Sequence, residues 1–207
     1  MVFCVTGPMA AGKNFVSSLL EKQELNGKSF VSIDADVVGH KAVENSKDKI
    51  LETFGELARQ KGIRLADDNG NIIRRNLGAL IFGNDELVAK QESIVYPEIT
   101  SIIEDFIEEN KDKNVIVNAT VLFKIPLIRR MDLVVYVHCP WFIRLWRAKK
   151  RDGMALGQIF ARFRSQRGLY SAYKKAVSGS RIKIEKISNF GSEKRLLKKI
   201  QFLFTNR

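Results

Sequence analysis

The chain begins with an apolar stretch that runs into a glycine-rich turn, Phe3-Cys4-Val5-Thr6-Gly7-Pro8-Met9-Ala10-Ala11-Gly12-Lys13-Asn14-Phe15-Val16. Gly7 and Gly12 allow the backbone to curl so that successive N–H groups point at phosphate oxygens. Lys13 adds a mobile positive charge at the start of a helix whose dipole also favours anions. The pattern predicts a phosphate-binding loop, although a strand-to-helix turn can show the same spacing by chance. The residues expected to contact the nucleotide here are Gly7, Pro8, Met9, Ala10, Ala11, Gly12, Lys13, Asn14 and Phe15.

Position 14 departs from the usual loop pattern, which has Ser or Thr there. Such a hydroxyl normally ligates the magnesium ion that bridges the nucleotide phosphates. Asn14 offers an amide oxygen, which is also a hard ligand but is aimed differently. We therefore expect ATP and Mg²⁺ at this loop, with Asn14 as the candidate metal ligand.

Runs rich in β-branched residues alternate along the chain with helical patterns. They occupy residues 2–6, 30–33, 115–117, 133–137 and 183–187. Five strands separated by helices predict an α/β fold of the P-loop NTPase type, with a parallel five-stranded sheet flanked by helices. Residues 1–36, 111–150 and 169–207 are predicted to form its nucleotide-binding core.

Two segments outside the strands are predicted to be separate lobes. Residues 37–110 have a mostly helical pattern, broken by a turn at residues 67–71 and by Pro97, and are predicted to be an inserted helical lobe. In residues 151–168, the Asp152-Gly153 pair interrupts a basic helical pattern. That interruption is typical of a hinged lid.

Length and composition limit the class of protein. A chain of 207 residues with 45% hydrophobic content is long enough for one substantial core with an inserted subdomain. No apolar run approaches the roughly 20 residues that span a bilayer, and the apolar start is too short for a secretory signal. We expect a cytoplasmic, monomeric protein with no membrane partner. Two cysteines and two histidines argue against disulfides, zinc sites and histidine triads, and we expect Cys4 and Cys139 to be buried, non-catalytic thiols.

The formal net charge of +12 is concentrated in residues 144–199. A basic surface of this kind attracts a polyphosphate substrate or a nucleic-acid backbone, and it can also be a solvated face without a ligand. The aromatic residues of this region fall at helix-like intervals that favour core packing over base stacking. They are Trp141, Trp146, Phe160, Phe163 and Tyr170. Nucleic acid is therefore the disfavoured partner.

Two carboxylates follow the second predicted strand, at Asp34 and Asp36. Residues i and i+2 of an extended chain point to the same side, and ligands of open parallel sheets bind at the carboxyl ends of the strands. A kinase needs a carboxylate to accept or orient the proton of the attacking hydroxyl. Either aspartate can fill that role, and Asp36 can instead cap the next helix.

Short motifs in the rest of the chain follow one another in a characteristic order and spacing. They are Ile33-Asp34-Ala35-Asp36, Phe54-Gly55, Gly70, Arg74-Arg75-x-Leu77, Ile81-Phe82, Tyr96-Pro97, Arg144-Leu145-x-Arg147, Arg151-Asp152, Arg162-Phe163-x-x-Gln166 and Ile187-x-Asn189-x-Gly191. In this order and spacing they resemble the dephospho-CoA kinase family, and the resemblance covers the whole chain. It implies phosphorylation of the ribose 3′-hydroxyl of dephospho-CoA by ATP, the last step of coenzyme A synthesis, with residues 37–110 as the lobe that binds the acceptor.

The resemblance also implies roles for particular residues. Asp34 would be the base with Asp36 beside it, Lys13 would hold the transferring phosphates, and Arg147 would close on them. The remaining predicted contacts are Asn189 and Gly191 on the adenine side and Arg74, Arg75, Tyr96 and Lys124 on the acceptor side. For Arg147 a solvated helix arginine is the alternative, and for Asn189-x-Gly191 it is a plain strand-to-helix turn.

Three further positions depart from the family pattern. Tyr96 replaces a histidine, Lys124 replaces a glutamate, and Lys183-Ile184 replaces an Ala-Asp pair. Together with Asn14, they leave open another small-molecule kinase of the P-loop class, or an ATP-binding homologue with impaired catalysis.

Overall fold

The computed structural model describes the backbone of residues 1–205 and, apart from Asp152 and Thr205, their side chains. The strands are β1 (Val2–Thr6), β2 (Glu24–Leu25), β3 (Lys28–Asp34), β4 (Asn114–Asn118), β5 (Leu133–His138) and β6 (Lys183–Ser188). The helices are α1 (Lys13–Leu20), α2 (Ala35–Asn45), α3 (Lys47–Gln60), α4 (Arg74–Ile81), α5 (Asp85–Glu109), α6 (Trp141–Asp152), α7 (Leu156–Ser165), α8 (Leu169–Ala176) and α9 (Glu193–Thr205).

The strands of the described chain form one sheet in the order β2-β3-β4-β1-β5-β6. Strands β3, β4, β1, β5 and β6 are parallel, which confirms the predicted five-stranded parallel arrangement. β1, β4 and most of β5 are buried because helices cover both faces, so these strands need continuous apolar sequence. The phosphate-loop stretch follows the central strand, β1.

Strand β2 adds an antiparallel edge that the sequence analysis missed. It pairs with β3 through the two-residue connection Asn26-Gly27, in which both residues have positive φ, 55° and 70°. Asn-Gly is the sequence that a tight hairpin turn of this kind prefers. The signal was present, but a strand of two residues leaves no alternating pattern to recognise.

The chain divides into two compact units: Met1–Asp34 with the chain from Phe106 onward, and Ala35–Asp105. In the first unit, buried side chains of β1 and β5 pack with α1 and α9, as shown by Phe3, Leu19, Val135 and Ile200. The second unit has its own core, which includes Ile50, Phe54, Leu77 and Val95.

Pro97 does not break the helical pattern, contrary to our expectation. Helix α5 runs through it from Asp85 to Glu109. A proline removes one intrahelical hydrogen bond, but Val95 and Ile103 on either side of it are buried, and tertiary packing of such a face dominates helix stability. No helix in residues 1–205 is both long enough and apolar enough to cross a membrane.

Candidate active site

The glycine-rich turn between β1 and α1 is held in a tight conformation by its own backbone and by β5. Ala11 N donates to Pro8 O at 3.0 Å, and Gly12 lies at φ +91°, ψ +40° directly before the first residue of α1, Lys13. A Cβ at Gly7 would lie 2.4 Å from Val137 O of β5. The loop therefore needs glycine at both ends, for close approach at Gly7 and for positive φ at Gly12.

Asn189 and Arg147 bind the carbonyl of Ala11 in this loop. Asn189 Nδ2 donates to Ala11 O at 2.7 Å, and the asparagine is only 6% exposed. Arg147 Nη1 lies 3.4 Å from the same oxygen, and its Nη2 lies 3.3 Å from Asn189 O. These contacts fix the loop immediately before Lys13 and bring a guanidinium to its edge. Burial raises the pKa of the neighbouring Cys139 thiol, although Arg147 and Arg144 act in the opposite direction.

A second pair of side chains binds the loop at Met9. Arg144 Nε donates to Met9 O at 2.9 Å, and Met9 N donates to Gln166 Oε1 at 2.6 Å. The Arg144 guanidinium also stacks on the Phe163 ring, 4.1 Å from its centroid. Both backbone polar groups of Met9 are thus occupied by side chains of α6 and of the residue after α7. Neither Arg144 nor Gln166 was assigned a role from the sequence, although both belong to motifs that carried the resemblance.

Asn14 lies between two polar side chains at the carboxyl ends of neighbouring strands. Its Nδ2 donates to Asp34 Oδ2 at 3.3 Å, and its Oδ1 accepts from Asn118 Nδ2 at 2.9 Å. Asp34 ends β3 and Asn118 ends β4, so the parallel sheet brings both to the edge where α1 begins. Asn118 was not predicted as a site residue, although its place at the end of an apolar strand could have indicated it.

This group of side chains fits a magnesium ion. Asn118 Oδ1 is buried and has no hydrogen-bond partner, and the Asn14 oxygen and the Asp34 carboxylate lie near it. Oxygen donors of this kind suit Mg²⁺, which usually takes one or two protein ligands and completes its shell with phosphates and water. Within the part of the chain that the structure describes, no group of three or more His, Cys, Asp or Glu residues could hold a metal. The donor set therefore fits an ion held mainly by a nucleotide.

A cavity of about 490 Å³ opens beside the loop in the first unit. The described residues that line it are Ala10, Gly12, Trp146, Arg147, Lys150 and Arg151. Trp146 and Trp141 on α6 are 61% and 60% exposed, and Phe160 on α7 is also exposed. Core packing of these three aromatic residues was therefore a wrong prediction. Helix-like spacing cannot tell a buried face from an exposed one when basic residues surround both.

Other predicted site residues lie in the second unit. Arg74 and Arg75 begin α4 and line a cavity of about 700 Å³ within that unit, together with His40, Asp67 and Gln91. Asp36 lies exposed in the first turn of α2.

Tyr96 lies half-buried in α5, where burial and the Glu92 carboxylate raise the pKa of its hydroxyl. Lys124 belongs to the first unit, exposed at the end of a short 3₁₀ turn. Gly191 follows β6 with φ +96°. The structure gives these residues positions, and their predicted contacts with substrates stay predictions.

A sequence model of the dephospho-CoA kinase family matches residues 1–180. A dephospho-CoA kinase of Treponema denticola is 33% identical over 173 residues, which are 82% of this chain and 75% of that protein. The chain belongs to the dephospho-CoA kinase family. The predicted family and the predicted kinase class are both confirmed.

Solved structures agree on the fold. A Thermus thermophilus protein of known crystal structure superimposes with a TM-score of 0.76 at 22% identity, covering 100% of this chain and 97% of that one. The dephospho-CoA kinase of Campylobacter jejuni superimposes with a TM-score of 0.59 at 23% identity, covering 99% and 96%. The predicted α/β fold, with a parallel sheet flanked by helices, is thus confirmed.

Proposed function

We propose that the protein transfers the terminal phosphoryl group of ATP to the ribose 3′-hydroxyl of dephospho-CoA, giving CoA in the last step of its biosynthesis. The carrying observation is the contact of 3.3 Å between Asn14 of the phosphate loop and the Asp34 carboxylate. It brings a proton acceptor to the edge of the phosphate site in a chain of this family. Phosphoryl transfer to a hydroxyl requires that arrangement.

The proposed mechanism is direct in-line transfer without a covalent enzyme intermediate. Asp34 orients the 3′-hydroxyl and accepts its proton. Lys13 and loop amides hold the β and γ phosphates, while Met9 N is already bound to Gln166 and Ala11 N to Pro8 O. Arg147 lies against the carbonyls of Ala11 and Asn189 and has five N–H donors in total, so it can also face phosphate oxygens as charge develops.

A magnesium ion bound with the nucleotide would neutralise charge on the transferring group. Asn14 is the residue proposed to hold it, with the Asn118 oxygen next to it. The hydrogen bond from Asn14 Nδ2 to Asp34 Oδ2 also keeps the carboxylate beside the loop.

The remaining predictions assign acceptor binding to one segment and a lid to another. We propose that residues 37–110 bind the acceptor, with Arg74 and Arg75 facing its phosphates, Asp36 and Tyr96 contributing polar groups, and residues 151–168 acting as a lid. Two adjacent arginines that line one cavity suit a pyrophosphate, because each guanidinium group can bind phosphate oxygens through two parallel hydrogen bonds. Lys124 adds charge of the same sign. A cytoplasmic location accords with the use of ATP, and size-exclusion chromatography would test the predicted monomer.

A coupled ADP-release assay tests the proposal. Purified protein with ATP and Mg²⁺ should turn over dephospho-CoA, and the product should co-elute with CoA. CoA itself is the matched control acceptor, because its 3′-hydroxyl is already phosphorylated. No turnover above background in protein shown to be folded would refute the proposal.

Two other outcomes identify the alternatives. Turnover with nucleosides or nucleotides instead of dephospho-CoA would indicate another small-molecule kinase of this class. ATP binding without transfer to any acceptor would indicate an impaired homologue, which the amide at position 14 makes worth testing.

A further inference from the structure

Trp146 is an unusual residue for the surface on which it lies. Helix α6 carries Arg144, Arg147, Lys149, Lys150 and Arg151, yet Trp146 is 61% exposed among them. A large ring left in water forgoes the stabilisation that its burial would bring. Packing within the helix does not explain why an exposed aromatic side chain lies on its basic face.

The surroundings of Trp146 indicate what it faces. It lines the cavity of about 490 Å³ with Ala10 and Gly12 of the phosphate loop and with Arg147, Lys150 and Arg151. The ribose and base of a nucleotide extend away from the phosphates that occupy the loop, and this cavity begins at the loop. Three cationic side chains around it attract an anionic nucleotide.

The chemistry of the lining points to stacking and not to recognition by a matching hydrogen-bond pattern. Among the described residues that line the cavity, the side chains that carry polar groups are tryptophan, arginine and lysine, which are all hydrogen-bond donors. They offer no side-chain acceptor for the 6-amino group of adenine, at the position where guanine has a carbonyl. Lys150 Nζ lies 5.1 Å from the Trp146 ring centroid, so a cation already steadies the ring.

We propose that Trp146 is a stacking surface for the base of the nucleotide donor, and that it sets a broad base specificity. This rests on the proposed function for the identity of the donor site. Every base has a π-face, so affinity gained by stacking is shared between ATP and GTP. Trp146 is a binding residue in this proposal and takes no part in proton or phosphoryl transfer.

Kinetics of matched variants test the proposal. Trp146→Ala should raise KM for ATP about 5- to 150-fold, the effect of removing one base–aromatic stack. kcat at saturating ATP and KM for dephospho-CoA should stay within about twofold, and Trp146→Phe should recover most of the affinity. Trp141→Ala is the control, since Trp141 lies on the same helix with 60% exposure and does not line the cavity. The wild-type ratio of kcat/KM for ATP over GTP should be below about tenfold, because stacking does not discriminate between bases.

Fluorescence gives a readout that does not depend on turnover. The chain has two tryptophans, so Trp141→Phe leaves Trp146 as the single reporter. ATP added without acceptor should quench it, and Trp146→Phe should abolish the nucleotide-dependent signal. Quenching without dephospho-CoA turnover would refute the proposed function and leave this inference standing. An unchanged KM for ATP in Trp146→Ala, or a strict preference for ATP over GTP, would overturn the inference.

Discussion

Gly12→Ala should disrupt the contact between the phosphate loop and Asn189, the residue that fixes the loop. A Cβ built at Gly12 would lie 2.1 Å from Asn189 Nδ2, far inside the distance that any real Cβ contact shows. Asn189 cannot simply rotate away, because it is buried and its amide donates to Ala11 O at 2.7 Å. Either the loop or the asparagine must move.

The magnitude follows from two costs. A φ of +91° is unfavourable for alanine, and such conformations cost about 1–3 kcal/mol in a non-glycine residue. Displacing Asn189 leaves buried polar groups without partners, which costs about 1–3 kcal/mol more. Together they disfavour the binding conformation by about 2–6 kcal/mol, so even the lower bound weakens ATP binding about 30-fold.

The assay is ATP affinity by calorimetry, with thermal unfolding measured beside it. Gly55→Ala in α3 is the matched control: a Cβ there has no atom within 4 Å, and alanine should leave ATP affinity unchanged. The double variant Gly12→Ala/Asn189→Ala removes the obstacle, so its loss should be smaller than the sum of the two single losses. Strictly additive losses, or Gly12→Ala with wild-type affinity, would refute the explanation by contact with Asn189.

Three further changes test the chemistry of the site. Asp34→Asn should lower kcat by about 10²- to 10⁴-fold with ATP affinity kept within a few fold, and near-normal turnover would mean that another group takes the proton. Asn14→Ser should raise the Mg²⁺ concentration that gives half-maximal activity, because serine cannot keep the contacts of Asn14 with both Asn118 and Asp34, and a lowered requirement would mean that the amide is the poorer ligand. Burial raises the pKa of Cys4 to about 12 and also raises that of Cys139, so both thiols stay protonated as pH rises through 8. Ellman's reagent at pH 8 should therefore react with them only in denaturant, and fast labelling of folded protein would contradict their burial.

The strands and the loop were predictable because their signals are local. A strand covered on both faces must be apolar throughout, and a loop that curls around phosphate needs glycine at fixed positions. β2 was not predictable with its two residues, and Pro97 misled because packing against the core of the second unit outweighs one lost hydrogen bond. These errors concern elements whose stability is set by partners distant in sequence.

The site was predictable to the extent that its residues lie in the loop or directly after a strand. Asp34 and Lys13 were predicted in this way. Arg144 and Gln166 were not given roles, because their contacts reach Met9 across 135 and 157 residues. No local pattern shows that a helix arginine points at a backbone carbonyl so far away. Such contacts between distant residues can be recognised only in the folded structure.

Asn14 has a different meaning in the structure than in the sequence. In the sequence motif, Asn14 stands where a hydroxyl is usual. In the structure, its amide accepts a hydrogen bond from Asn118 and donates one to Asp34. A serine side chain is one bond shorter and has a single hydroxyl in place of separate carbonyl and N–H groups, so it could not keep both contacts in the same geometry. Asn118 is buried and already has one oxygen without a partner, so losing Asn14 would leave its second polar atom unsatisfied as well. The side chains of Asn14 and Asn118 therefore depend on each other for hydrogen bonding. Asn14 is part of a site built from two amides, and its presence is more than the loss of a hydroxyl ligand.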